Sequence, residues 1–132
     1  MKRVLILCTG NSCRSIIAEA LINRYLPNIE AKSSGVDAKK EVNPNAKKIL
    51  IEKGCWDNRY YSKDIKEVID EDFDLVVSVC DNANKNCPSF PKPIKHIHIP
   101  FKDPDGKDYN EFIKTFNEIK NKLLPIIEKE LA

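Results

Sequence analysis

The sequence predicts an α/β fold in three layers, with a four-stranded parallel sheet and helices on both of its faces. Apolar runs of strand length alternate along the 132 residues with segments of helical periodicity. This alternation is typical of parallel strands joined by right-handed crossover helices. No internal repeat or low-complexity linker interrupts the order, so residues 1–132 are expected to form a single domain.

The chain begins with a strand and a helix. Residues 3–7 are apolar and partly β-branched, as in a buried strand, and the turn residues Thr-Gly-Asn-Ser end the run. From about Cys13 to Leu26 apolar residues recur at helical spacing, and Pro27 lies just past the end. The periodic positions are Ile17, Ala20, Leu21 and Tyr25.

A second strand and a second helix follow. Residues 30–35 are a weaker strand candidate that ends at a glycine. Asn43 offers an N-cap, Pro44 suits the first helical turn and Gly54 is a stop signal. A helix is therefore expected over residues 45–53.

The second half of the chain continues the alternation. A short helix is expected around residues 64–70, before an apolar run at 73–80 that is typical of a strand buried on both faces. Residues 94–100 supply the fourth strand. Parallel sheets of this kind bind their ligands outside the carboxyl ends of the strands. The loops expected at that edge are 8–15, 80–88 and 100–107.

The last helix has the clearest start signal. Asp108 and Glu111 have the spacing of a capping box. Pro125 is expected to kink the helix or to end its regular part. One apolar face is predicted, made of Phe112, Phe116, Ile119, Leu123 and Ile126.

Composition restricts the classes of function. The 22 basic and 20 acidic residues leave a formal charge of +2, which argues against a dedicated nucleic-acid or membrane surface. No apolar run has the length of a signal-peptide core or a membrane span, so a cytoplasmic location is expected. The protein is also expected to be a monomer without a tightly bound cofactor. Five cysteines would be mostly reduced there, and an odd number fits a disulfide framework poorly.

The loop CTGNSCRS at 8–15 has the composition of an oxyanion site. Arg14 offers a planar fork for two oxygens, and the following helix offers its positive end. Cys8 lies at the base of the loop, where this field is expected to lower the thiol pKa, and Ser15 could donate to its sulfur. The backbone N–H groups that can converge on the anion belong to Thr9, Gly10, Asn11, Ser12, Cys13 and Arg14.

Asp103 follows the fourth strand in the segment PFKDPDGKD. A carboxyl group beside a bound oxyanion can move the proton that substitution at the anion requires. The alternative is an ordinary turn, because Asp-Pro-Asp-Gly is a common turn sequence.

Two further cysteines flank a polar stretch at the same edge of the sheet. Cys80 closes the third strand and Cys87 lies seven residues later. The stretch 81–86 has no evident apolar anchor, so it could be remodelled and the two sulfurs could approach each other. Both could also be inert buried residues. A zinc site is disfavoured because cysteine ligands usually stand two to four residues apart, and His96 and His98 are expected to be hydrogen-bonded strand residues.

The segment CTGNSCRS resembles the cysteine–five residues–arginine signature of low-molecular-weight tyrosine phosphatases and of the arsenate reductases that share their fold. The resemblance runs nearly end to end and implies that Cys8 is the nucleophile and Asp103 the catalytic aspartate. The spacing of Cys80 and Cys87 is similar to that in thioredoxin-coupled arsenate reductases. There, two such cysteines form a redox relay that regenerates the nucleophile.

This resemblance implies reduction of arsenate to arsenite, in arsenic detoxification. Cys8 would attack arsenate, Cys80 would attack the Cys8 sulfur, and Cys87 would then form a disulfide with Cys80 that thioredoxin reduces. The first alternative is a tyrosine phosphatase that forms a Cys8 phospho-enzyme, although Asp105 and Gly106 replace the aromatic residues usual there. If the protein is a reductase, a weak phosphatase side activity is also expected. A binding module for anionic proteins, without catalysis, is the second alternative.

Some reductases of this type bind potassium near the anion loop. The resemblance implies that the matching residues are Asn11, Glu19, Ser33 and Asp64, which all carry oxygen atoms. The alternative is that Glu19 and Asp64 are surface residues and that Asn11 braces its own loop. Cys13 and Cys55 are interpreted mainly as packing residues.

Overall fold

The sheet has four strands, and all of them are parallel. In the computed structural model, which describes all 132 residues, the strands are β1 (Lys2–Cys8), β2 (Ile29–Gly35), β3 (Leu75–Ser78) and β4 (Lys95–His98). Their order across the sheet is β2-β1-β3-β4. β1 lies at the centre, and its residues Val4–Leu7 are completely buried.

Four α-helices cover the sheet: α1 (Arg14–Tyr25), α2 (Pro44–Glu52), α3 (Asp81–Asn86) and α4 (Tyr109–Glu130). The crossover through α1 leads from β1 to β2, and the crossover through α3 leads from β3 to β4, in the opposite direction across the sheet. Right-handed crossovers in opposite directions place their helices on opposite faces. α4 packs against α1 and α2. The predicted α/β fold with a four-stranded parallel sheet is confirmed.

The core lies between the sheet and the two longest helices. α1 is buried without interruption from Ser15 to Ile22, and α4 contributes the fully buried ring of Phe112. Burying a side chain of this size adds roughly 1.5–3 kcal/mol to the free energy of unfolding, relative to leaving it exposed. Tyr25, predicted on the apolar face of α1, is exposed at the end of that helix. Packing of α1 fixes the loop that precedes it.

Two details of α4 differ from the prediction. The helix continues five residues past Pro125, so the prediction that its regular part could end at this proline is wrong. Pro125 is exposed, and the carbonyl that loses its partner belongs to the exposed residue Asn121, where water can solvate it. Ile127 is fully buried and Ile126 only partly, so the apolar face ends on Ile127. Asp108 is the N-cap, as predicted, and accepts from the Glu111 N–H.

The stretch between Cys80 and Cys87 is a helix, whereas a loop without an apolar anchor is predicted. Ala83 is the missed anchor, because its side chain is fully buried. Cys80 is the N-cap residue of α3, and Asp81 places a negative charge in the first turn, where the helix dipole favours it. The helix predicted around residues 64–70 is a single 3-10 turn over Ile65–Glu67. None of the helices has the length and apolarity needed to span a membrane.

Candidate active site at the carboxyl edge of the sheet

The carboxyl ends of β1, β3 and β4 open onto one cleft of about 290 Å³. β1 ends at Cys8, and β3 leads to α3, whose N-terminal turn borders the cleft. The segment after β4 brings Asp103 to the opposite rim. The residues that line the cleft are Cys8, Thr9, Gly10, Ser12, Cys13, Arg14, Lys39, Asn82 and Asp103.

Asn11 holds the loop between β1 and α1 in shape. Its backbone is left-handed, with φ of 50°, and its side chain is completely buried. The amide nitrogen donates to Ser15 Oγ at 2.7 Å and to Ser33 Oγ at 2.9 Å, while the amide oxygen accepts from the Lys63 N–H at 2.9 Å. A left-handed residue in such a loop turns successive N–H groups toward one point. Asn11 therefore braces its own loop.

Gly35 allows β2 to end directly against this loop. A Cβ atom at this position would lie 2.4 Å from the carbonyl oxygen of Thr9, which is closer than real Cβ contacts. Any side chain here would push the loop away from β2. The glycine that ends the second predicted strand is thus a requirement of the anion loop as well as a strand terminus.

Arg14 joins the loop to the segment after β4. Its Nη1 donates to the carbonyl oxygen of Phe101 at 2.9 Å, and its Nη2 lies 3.5 Å from the Asp103 carboxylate. Its Nε is buried and makes no hydrogen bond within the protein. A buried N–H without a partner is unfavourable, so this donor is suited to an oxygen of a bound anion.

The thiols of Cys8 and Cys80 interact directly, and the hydrogen bond between them is the largest influence on the pKa of each. It lowers the pKa of Cys80 to about 5, helped by the Thr9 hydroxyl at 3.2 Å and the Ala83 N–H at 3.4 Å. The same hydrogen bond, with burial, raises the pKa of Cys8 despite the charge of Arg14. Cys80 is therefore the more acidic thiol of the pair.

Two expectations about the loop differ from this structure. The pKa of the Cys8 thiol is raised and not lowered, because the Cys80 thiol and burial outweigh the attraction of Arg14. Ser15 is completely buried and its hydroxyl accepts from Asn11, and it makes no hydrogen bond to the Cys8 sulfur. Ser15 therefore contacts the brace of the loop and not the sulfur.

All five cysteines are free of disulfides, and the other three lie apart from the Cys8–Cys80 pair. Burial raises the pKa of Cys13 to about 11, and this residue is the N-cap of α1 at the floor of the cleft. Burial also raises the pKa of Cys55, which lies away from the cleft. Cys87 is half-buried at the C-terminal end of α3, where its thiol donates to the Pro88 carbonyl at 3.5 Å. Burial raises the pKa of the Cys87 thiol as well.

A clasp at the mouth of the cleft was not predicted. The carboxylate of Asp105 accepts from Lys39 Nζ and from Asn43 Nδ2, each at 2.9 Å. The Asp105 N–H donates to the Asp103 carboxylate at 3.0 Å, so the clasp also orients that group. Lys39 and Asn82 also border the cleft. Lys39 reaches it from the loop after β2, and Asn82 reaches it from the first turn of α3.

The four residues expected around potassium do not form an oxygen cage. Ser33 donates to the buried Glu19 carboxyl at 2.5 Å, and the Asn11 amide nitrogen faces Ser33. Asp64 instead caps its own turn by accepting from a backbone N–H. The strongest attraction on the Glu19 carboxylate comes from the charge of Lys63, which is itself buried. The side chains present therefore fit an internal lysine better than an added cation.

The same contacts correct the surface alternative for Glu19. This side chain is 4% exposed, and burial raises its pKa to about 7 even though Lys63, Ser33 and two more basic residues favour the charged form. Sequence reasoning could not detect its burial, since a glutamate on a helix is usually exposed.

His96 and His98 have polar partners, as expected for strand histidines. Both rings contact the Ser78 hydroxyl, through Nε2 of His96 at 3.0 Å and Nδ1 of His98 at 2.7 Å. No group of three or more metal-ligating side chains is found in the protein.

Comparison with known families identifies the class of protein. Residues 3–132 match the model of the family described as low molecular weight phosphotyrosine protein phosphatase. The match covers nearly the whole chain, so this protein belongs to that family, as the signature in the anion loop suggests.

Individual relatives have more than one activity within the family. An arsenate reductase of Bacillus cereus (strain AH187) is 40% identical over 123 residues, which are 92% of this chain and 91% of the relative. The structure of an arsenate reductase from Archaeoglobus fulgidus has a TM-score of 0.81 at 30% identity, over 95% of this chain and 98% of its own. A low molecular weight protein tyrosine phosphatase from T. tengcongensis has a TM-score of 0.84 at 27% identity, over 98% and 99%.

Proposed function

We propose that this protein is an arsenate reductase that works through a relay of Cys8, Cys80 and Cys87, with thioredoxin as the final reductant. The observation that carries the proposal is a second cysteine beside the cleft: Cys8 lines the cleft, and the Cys80 thiol lies 3.2 Å from the hydroxyl of Thr9, the residue next to Cys8. Hydrolysis of a phosphate ester needs one sulfur, whereas reduction of arsenate needs two that can pair. The relatives named as arsenate reductases support the same conclusion.

In the first step Cys8 attacks the arsenic atom of arsenate. The proton of the Cys8 thiol passes to an oxygen of the bound arsenate, so the attacking sulfur is a thiolate. Arg14 and the loop N–H groups hold the oxygens, and Asp103 at the rim provides a proton to the departing hydroxide. A sulfur–arsenic bond forms, an arsenic–oxygen bond breaks, water leaves, and the arsenic stays pentavalent.

In the second step Cys80 attacks the sulfur of Cys8. Cys80 attacks as a thiolate, a form that Thr9 and the N-terminal end of α3 favour, because both lower the pKa of this thiol. The sulfur–arsenic bond breaks and its electron pair stays on arsenic, which leaves as trivalent arsenite. The two thiols are oxidised to a Cys8–Cys80 disulfide, so two electrons have moved from sulfur to arsenic.

In the third step Cys87 attacks Cys80 and releases Cys8 as a thiolate. Cys80 and Cys87 cap opposite ends of α3. Seven helical steps at about 1.5 Å place their Cα atoms roughly 10 Å apart. A disulfide requires about 4.4–6.8 Å. The helix must therefore unwind before the sulfurs can bond, and the resulting disulfide would lie in a rearranged segment accessible to thioredoxin.

Phosphatase activity is the second candidate, favoured by the family match and by a cleft that holds Cys8, Arg14 and Asp103 together. No aromatic side chain lines this cleft, and its mouth carries the clasp of Lys39 and Asp105. Such a mouth suits an inorganic oxyanion better than an aryl phosphate. We infer that hydrolysis of small aryl phosphates is a weak side activity.

The test is arsenate-dependent consumption of NADPH with thioredoxin and its reductase. We expect turnover to be abolished in Cys8→Ser, Cys80→Ser and Cys87→Ser, and to be retained in the matched variant Cys55→Ser, whose sulfur lies outside the cleft. Hydrolysis of an aryl phosphate should be lost only in Cys8→Ser. Arsenate turnover that survives in Cys80→Ser and Cys87→Ser would contradict the relay.

A further inference from the structure

Helix α3, whose unwinding the proposed relay requires, is tied to the sheet by one polar cluster. His98 lies on β4 with its Nδ1 2.7 Å from Ser78 Oγ and its Nε2 2.9 Å from the Asp81 carboxylate. Ser78 Oγ, at the end of β3, also lies 3.3 Å from Asn84 Oδ1. Ser78 is completely buried and the His98 side chain is one-quarter exposed. This cluster therefore joins β3 and β4 to the first turn and to the middle of α3.

The direction of the contact with Asp81 follows from chemistry. An ionised carboxylate only accepts, so Nε2 of His98 must donate to Asp81. The opposite nitrogen of the ring is held by Ser78, which fixes the plane of the imidazole. His98 thus holds the first residue of α3 with a ring that cannot turn without losing a second hydrogen bond.

Two other polar contacts of α3 lead to the sulfur of Cys80. The Ala83 N–H donates to Cys80 Sγ, and Asn82 donates at 2.9 Å to the Thr9 hydroxyl, which contacts the same sulfur. When Cys80 forms a disulfide with Cys8, that sulfur loses its negative charge and becomes a poor acceptor. The contacts through Asp81 and Asn84 do not involve sulfur and persist in the oxidised intermediate.

We propose that His98 is a positioning residue that, through Asp81, keeps α3 wound until Cys87 replaces Cys8 on Cys80. Loss of the thiolate at Cys80 weakens the sulfur-dependent contacts, and the His98–Asp81 contact then determines how readily α3 unwinds. The contact slows the last exchange, because Cys87 can reach the Cys8–Cys80 disulfide only when α3 unwinds. This inference rests on the relay proposed above.

The test is the equilibrium between the Cys80–Cys87 dithiol and its disulfide in a glutathione buffer. It is measured in a Cys8→Ser background, which needs no arsenate. His98→Phe keeps a ring of similar shape without hydrogen bonds, and His96→Phe is the matched control, because His96 contacts Ser78 but not α3. We expect the equilibrium constant for disulfide formation to rise about three- to tenfold in His98→Phe, as for loss of one hydrogen bond, and less than twofold in His96→Phe.

A double-mutant cycle separates the contact from a general loosening of the fold. Asp81 is highly exposed, so Asp81→Ala should fold normally, and it should raise the constant to the same extent as His98→Phe. The double variant should do no more than either single variant, because both remove one interaction. A change below threefold in His98→Phe, or effects that multiply in the double variant, would overturn the inference. If the unaltered protein does not turn over arsenate, the proposed function is contradicted. The dithiol–disulfide equilibrium can still be measured, because it needs no arsenate.

Discussion

The guanidinium of Arg14 lies 3.5 Å from the carboxylate of Asp103 across the mouth of the anion cleft. This pair joins the loop after β1 to the segment after β4, so the anion-binding group and the proton donor are positioned together. The Asp105 N–H holds the same carboxylate from the other side. Both groups are thus oriented before substrate binds.

Replacing Asp103 by Asn should slow arsenate reduction without abolishing binding. The amide keeps the size of the side chain but cannot provide a proton to the departing hydroxide. Proton transfer by a positioned group contributes about 100-fold or more, so kcat should fall by about that factor while KM changes little. Steady-state kinetics with thioredoxin measures both constants. An unchanged kcat would show that another group supplies the proton.

Replacing Arg14 by Lys should mainly weaken anion binding. Lysine keeps the charge but lacks the fork that contacts Phe101 and Asp103, and it has no counterpart of the buried Nε. Loss of one charge-assisted hydrogen bond of about 1.5–3 kcal/mol predicts a weakening of roughly 10- to 100-fold. Isothermal titration calorimetry of phosphate, used as an arsenate analogue, measures the dissociation constant in both proteins. Equal affinity in the variant would exclude the proposed role of the fork.

The ionisation of Cys80 should depend on Cys8 and Thr9. The pKa of Cys80 is lowered to about 5, chiefly by the hydrogen bond with Cys8. The hydroxyl of Thr9 makes the next largest contribution to lowering this pKa. Alkylation of Cys80 by iodoacetamide should therefore follow a midpoint near pH 5, and the midpoint should rise in Cys8→Ala and in Thr9→Val. Mass spectrometry of the labelled peptides assigns the site. A midpoint at the ordinary thiol value in the unaltered protein would contradict the lowered pKa of Cys80.

Replacing Glu19 by Gln should stabilise the protein at high pH. Burial raises the folded-state pKa of Glu19 from 4.5 to about 7, so its favourable contribution is fully present below pH 4.5 and is lost as the pH rises to 7. The shift corresponds to roughly 3 kcal/mol. Glu19→Gln should therefore unfold at a higher temperature than the unaltered protein at pH 8, and the difference should vanish near pH 4.5. A difference that does not depend on pH would contradict the assignment.

Potassium should have no specific effect on stability. Lys63 already supplies a positive charge beside Glu19, and Asp64 is engaged in its own turn. The melting temperature should be the same in potassium chloride and in tetramethylammonium chloride at equal ionic strength. Stabilisation by potassium alone would restore the expected ion site.

Local chemistry explains what the sequence could predict. The anion loop is a contiguous segment between a strand and a helix, so Cys8 and Arg14 can be recognised from their spacing and surroundings. Asp103 follows a strand whose carboxyl end must lie at the same edge of a parallel sheet, which places it near the loop.

What could not be predicted depends on contacts between distant parts of the chain. The charge on Cys80 requires the thiol of Cys8, which no local pattern indicates. Helix α3 has six residues, a length at which intrinsic propensity gives little signal and packing of Ala83 decides. The burial of Glu19 depends on residues of β2 and of the segment before the 3-10 turn, which fold against α1.

The relay is tested by a single turnover with arsenate in the absence of thioredoxin. The arsenite released per chain is counted, and the disulfide is located by mass spectrometry. The unaltered protein should release one arsenite per chain and end with a Cys80–Cys87 disulfide, while Cys87→Ser should release one arsenite and end with a Cys8–Cys80 disulfide. Cys80→Ser should release none. Arsenite release from Cys80→Ser, or a first disulfide that excludes Cys8, would contradict the account.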